Sequence, residues 1–82
     1  MEVAKSILDK LEGVFRQVLN RDGLCLSEGS SAPDIPEWDS LNHIRLMAAT
    51  EASFGVRFDL GEIADLTTIG DLVKLIQTKL EA

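Results

Sequence analysis

From Leu41 to Phe54 the sequence holds neither proline nor glycine, and its apolar residues recur at helical spacing on two sides at once. Leu46, Met47, Thr50 and Phe54 fall together on one side. Leu41, Ile44 and Ala48 follow an i, i+3, i+7 pattern about 120° or more away. A wedge of Asn42, Arg45, Ala49 and Ser53 lies between the two. A helix with two apolar faces constrains the chain strongly. One face must be packed by the remaining segments; the other is either covered as well, if the helix is merely central, or offered outward in the spacing of a helix that lies in a partner's groove, and the wedge between the two favours the second.

The start of that helix carries the chemistry. Pro33 and Pro36 discourage helix just upstream, so the boundary falls near Asp39. Asp39 is a good N-cap, able to accept from the backbone N–H of Leu41 or Asn42. Ser40 then sits in the first turn with its hydroxyl free; were Ser40 the cap, its oxygen would be engaged by the backbone. A free hydroxyl there lies over unpaired N–H groups at the positive end of the helix dipole, where an attached phosphate is stabilised.

The packing segments are legible too. Val3, Ile7, Leu11, Val14 and Val18, widened by Leu8, Phe15 and Leu19, predict an amphipathic helix from Glu2 to Leu19. Lys5, Asp9, Lys10, Glu12 and Arg16 fill its polar side, and Asn20-Arg21-Asp22-Gly23 ends it. Asn20 to Trp38 is a long connection for so small a domain, and long loops are often functional. Leu24, Leu26, Ile35 and Trp38 are expected to pin it to the core, with Ser27 to Ala32 as a mobile tip. Gly55 suits a helix C-terminus. Val56-Arg57-Phe58 reads as a short linker with Val56 and Phe58 inward. Asp59-Leu60-Gly61-Glu62 opens a short helix to about Leu66, anchored by Ile63 and Leu66. Thr68 with Asp71 marks a last helix to about Leu80, whose expected buried stripe is Ile69, Leu72, Val73, Ile76 and Leu80. No strand is needed. The expected fold is all-α: a small bundle of three main helices and one short one, in a single domain over residues 1–82.

Charge and composition exclude several functions. The net charge of −6 lacks the basic footprint that nucleic acid requires. No apolar run approaches the roughly 20 residues needed to span a bilayer, and Met1 to Lys5 lacks a signal peptide's pattern. The cytoplasm is the expected location. Cys25 is the only cysteine and His43 the only histidine, so neither an internal disulfide nor a zinc set can be assembled. Asp39, Ser40 and His43 hold the residue types of a hydrolase triad, but at one helix start Ser40 and His43 diverge and Asp39 is occupied as a cap. No catalytic residue is assigned.

Asp39-Ser40-Leu41 at a helix start is followed by Glu51, by Phe54-Gly55-Val56 and by Leu66-Thr67-Thr68-Ile69-Gly70-Asp71-Leu72. In this order the motifs resemble the acyl carrier protein family over nearly the whole chain. The resemblance implies that Ser40, within the motif formed with Asp39 and Leu41, accepts 4′-phosphopantetheine from coenzyme A by the action of a separate phosphopantetheinyl transferase. The thiol of that arm would hold an acyl or aminoacyl group as a thioester. The protein, a monomer that does not itself catalyse, would present this cargo to acyl-loading and acyl-processing enzymes through a face containing Leu41, Ile44, Arg45, Ala48, Glu51 and Glu62. Fatty acyl, polyketide, aminoacyl and cell-surface precursor carriers share the motif. The alternative is a helical protein-interaction adaptor with Ser40 unmodified. One departure stands out. Fatty-acid carriers of the family place many acids along the helix after the serine, whereas here Asn42, Arg45, Ala52 and Ser53 occupy those positions and Glu51 is the one acid between Leu41 and Phe54. A specialised carrier, poorly used by fatty-acid elongation enzymes, is the expectation.

Overall fold

Helix α1 forms because eighteen residues keep one apolar stripe in register, and it runs from Glu2 to Leu19 as expected. The computed structural model describes residues 2–81, without the side chains of Glu2, Val3 and Ala32. Val3's place in the stripe, and Met1 and Ala82 of the expected domain span, therefore lie outside the described residues. Three further helices follow: α2 from Ser40 to Phe54, α3 from Leu60 to Ala64 and α4 from Ile69 to Glu81. Helix α1 packs against both α2 and α4. The core joins Ile7, Leu11 and Phe15 of α1 to Leu46 and Met47 of α2 and to Ile69, Leu72, Val73 and Ile76 of α4. Thr50 is fully buried among them, its hydroxyl satisfied by donating to the Leu46 carbonyl at 2.6 Å.

The ends of the helices follow local chemistry. Gly55 closes α2 in the left-handed conformation, with φ 68°, which a side chain would resist. At the start of α4 the Thr68 hydroxyl accepts from the Asp71 N–H at 3.2 Å, while the Asp71 carboxylate accepts from the Thr67 hydroxyl at 2.7 Å. That carboxyl is held below the usual carboxylate range, first by the Thr67 hydroxyl and then by the Thr67 N–H.

The connection from α1 to α2 is anchored by Leu24, Leu26, Ile35 and Trp38, all buried. Polar atoms of α1 hold it as well. The Glu12 carboxylate accepts from the Leu26 N–H at 2.8 Å, Arg16 Nε donates to the Leu24 carbonyl at 2.6 Å, and the two side chains pair at 3.2 Å. Residues expected to fill a solvated face thus clamp the loop. The Ser/Gly tip is likewise tied down: Ile69 N–H donates to Ser30 O and Gly70 N–H to Glu28 O, each at 2.8 Å, beside a bridge between Ser31 and Thr68. A 3-10 turn over Ala32–Asp34, not foreseen from the sequence, leads on toward Trp38.

One boundary and one expected core position differ from expectation. Helix α3 stops at Ala64, capped by Asp65, so Leu66 anchors from the following loop rather than from the helix. Leu80 is not part of the buried stripe of α4: it is 49% exposed. The helical period continues to Leu80, but the last turn extends past Ile76, the final buried position on this helix.

Candidate functional site

Asp39 is the cap of α2, in extended backbone, and its Oδ1 accepts from the Asn42 N–H at 2.8 Å. Ser40 is therefore the first helical residue, exposed, and its hydroxyl has no hydrogen-bond partner among the described residues. The approach to it is braced. Asn42 Nδ2 donates to the Glu37 carbonyl at 2.7 Å, and the Glu37 carboxylate pairs with Arg21 at 3.0 Å.

Near Ser40 lies a contact between four segments that residue spacing alone does not show. Trp38, 7% exposed, meets the Phe15 ring edge-on with centroids 5.2 Å apart. Its Nε1–H donates to His43 Nδ1 at 2.9 Å, and His43 Nε2 lies 3.2 Å from the Ile63 carbonyl. Because Nδ1 accepts, Nε2 carries the proton and donates to that carbonyl. His43 thus joins the loop before α2 to α3. Both His43 ring nitrogens are spent on the scaffold, Asp39 Oδ1 is spent on the cap, and neither side chain is hydrogen-bonded to Ser40 among the described residues.

An open cleft of about 830 Å³ runs from this point between α2 and α3. Ser40, Asp39, His43, Ile44 and Trp38 line one side; Leu60, Ile63, Ala64, Leu66 and Thr67 line the other. Its walls are largely apolar. A group attached at Ser40 has open space beside it, and the first-turn N–H groups not taken by Asp39 remain to meet an anion. Leu60, 82% exposed at the start of α3, contributes most visibly to the far wall. In the sequence it read only as part of a helix start.

The expected partner face divides in two. Leu41 and Ile44 are 69% and 56% exposed, and Arg45 and Ala48 are exposed with them. Arg45 pairs with no acid among the described residues. Glu51 and Glu62 have internal work instead. Glu51 Oε2 accepts from the Phe58 N–H at 2.7 Å and so fixes the linker after α2. Glu62 Oε1 accepts from the Asp59 N–H at 2.8 Å and meets Lys79 Nζ at 2.9 Å. The Glu62 carboxyl is pulled below the usual range, first by the Asp59 N–H and then by Lys79. Among the described residues no group of His, Cys, Asp and Glu side chains is placed to hold a metal ion.

The chain is similar to known proteins. The family described as phosphopantetheine attachment site matches residues 37–76. An acyl carrier protein of Thermotoga maritima is 29% identical over 80 residues, covering 98% of this chain and 99% of that protein. The solution structure of a holo acyl carrier protein from Geobacter metallireducens superposes with a TM-score of 0.85 at 42% identity, covering 90% of this chain and 85% of that one.

Proposed function

This chain belongs to the acyl carrier protein family, and we propose that Ser40 is the residue to which its 4′-phosphopantetheine is attached. The observation that carries the assignment is the free hydroxyl of Ser40 in the first turn of α2, capped by Asp39 and open to the cleft. The site fits such a group. Nothing among the described residues competes for the hydroxyl, the helix end suits a phosphodiester, and the cleft leaves room for an apolar appendage. When attached, the arm supplies a thiol that can hold an acyl group as a thioester.

The chain's own residues position and present. Asp39 holds the first turn so that Ser40 points outward. Leu41 stands exposed beside it, and His43 with Trp38 fixes the floor of the cleft. A separate phosphopantetheinyl transferase activates the Ser40 hydroxyl, to which no side chain among the described residues is hydrogen-bonded. Leu41, Ile44, Arg45 and Ala48 form the face that acyl-loading and acyl-processing enzymes meet. Glu51 and Glu62 flank that face while bracing it from within. The protein acts as one carrier domain in the cytoplasm; no helix among the described residues is long and apolar enough to cross a membrane.

Incubation with coenzyme A and a broad-specificity transferase tests the assignment by intact mass. One phosphopantetheine adduct is expected on the wild type and none on Ser40→Ala. An adduct retained by Ser40→Ala refutes it.

A further inference from the structure

The outward face of α2 is an apolar stripe with a single cation set in it. Leu41, Ile44, Ala48 and Ala52 are exposed along it, and Arg45 lies among them. Helical spacing gives Arg45 no local partner: Leu41 and Asn42 lie one turn before it, Ala48 and Ala49 one turn after. The nearest acid along the helix, Glu51, is engaged by the Phe58 N–H. Among the described residues Arg16, Arg21 and Lys79 each meet a carboxylate, whereas Arg45, like Arg57, is exposed and meets none; of the two, Arg45 is the one set within the apolar stripe of α2.

A partner that covers Leu41, Ile44 and Ala48 must also cover Arg45. Removing a guanidinium from water without a counter-charge costs several kcal/mol, enough to cancel much of what burying the flanking side chains contributes. The covering surface must therefore supply a carboxylate at that point, in the planar two-oxygen geometry that a guanidinium matches best. We infer that the acyl-loading or acyl-processing enzyme that docks on this chain presents an aspartate or glutamate to Arg45, between apolar sockets for Leu41 and Ile44 and for Ala48. This rests on the carrier reading above and narrows it to a class of partner. An enzyme with a lysine or arginine at that place is excluded by like-charge contact.

The test places the photo-crosslinker p-benzoylphenylalanine at position 48 of the full chain, expressed in its native host, and identifies the crosslinked peptide by mass spectrometry. The expected product joins position 48 to an enzyme segment that contains Asp or Glu. Its yield should fall only in part in Arg45→Lys, which keeps the charge and loses the two-pronged geometry, and about tenfold or more in Arg45→Glu. Circular dichroism of the Arg45 variants confirms that they are folded, as expected for an exposed position. A yield unchanged in Arg45→Glu, a crosslinked segment carrying Lys or Arg and no acid, a product joining two copies of this chain, or no product at all would each overturn the inference. Intact mass of the same wild-type protein reads the Ser40 adduct separately. An adduct without Arg45-dependent capture refutes this inference alone; a chain without an adduct refutes the carrier reading and the inference with it.

Discussion

Gly70→Ala should destabilise the protein, whereas Gly13→Ala should stabilise it. Both glycines are helical, in α4 and α1. Replacing either returns about 0.5–1 kcal/mol of helix propensity. At Gly13 nothing lies within 4 Å of an added Cβ, so that gain stands. At Gly70 the added Cβ would lie 2.9 Å from the Glu28 carbonyl oxygen and 3.3 Å from Glu28 Cβ, and ordinary contact begins at 3.4 Å. The Glu28 carbonyl is backbone, and the Gly70 N–H already donates to it at 2.8 Å. The loop must therefore retreat by about half an ångström, in the manner of an overpacked contact. Retreat weakens that hydrogen bond and the Ile69-to-Ser30 bond next to it, worth about 0.5–1.5 kcal/mol each. With the propensity gain subtracted, a net loss centred on about 1 kcal/mol remains, and about 2.5 kcal/mol at most. For a domain of this size each kcal/mol moves the melting temperature by about 4–8 °C. Thermal unfolding followed by circular dichroism should show Gly70→Ala melting about 4–8 °C below the wild type and Gly13→Ala slightly above it. Amide exchange in Ser27 to Ser31 should also quicken in Gly70→Ala. A Gly70→Ala protein as stable as Gly13→Ala would refute the claim that the loop is held tightly against α4.

Ser40→Ala should lose the phosphopantetheine adduct while its melting curve stays within about 0.5 kcal/mol of the wild type, because the hydroxyl makes no internal bond. Glu51→Ala should cost roughly 1 kcal/mol by freeing the Phe58 N–H, read by urea denaturation; an unchanged midpoint would show that the linker holds without it. The Asp71 carboxyl is depressed in the folded state, chiefly by the Thr67 hydroxyl, so its contribution is complete above the unfolded carboxylate value and lost as pH falls through the lower folded value. Acid titration should therefore destabilise the wild type more steeply than Asp71→Asn below about pH 4, and equal slopes would count against the Thr67 contact.

Much of the candidate site was written in short stretches of sequence. Helix limits, the Asp39 cap, the left-handed Gly55 and the Thr68–Asp71 start of α4 involve residues within about four positions of each other. Periodicity and capping act over that range, so the chain specifies them wherever it goes. The two faces of α2 followed from the same period, and the free hydroxyl of Ser40 followed from its place after Asp39.

Tertiary structure decided the rest. Glu12 reaches Leu26 across fourteen residues and His43 reaches Ile63 across twenty. Nothing in the helical pattern distinguishes a polar side chain that faces water from one that finds a backbone group of a distant loop. Glu51 and Glu62, read as part of the partner face, have further partners that the helical pattern does not show, the Phe58 N–H and Lys79, while the Glu62 bond to the Asp59 N–H is the local helix start. Leu80 kept the period of its helix but had no layer left to enter. Gly13 and Gly70 are indistinguishable by propensity; only the arrival of Glu28 against α4 makes one replaceable and the other not. Local order needs only the chain's own geometry, whereas each of these roles depends on which distant segment the fold brings alongside.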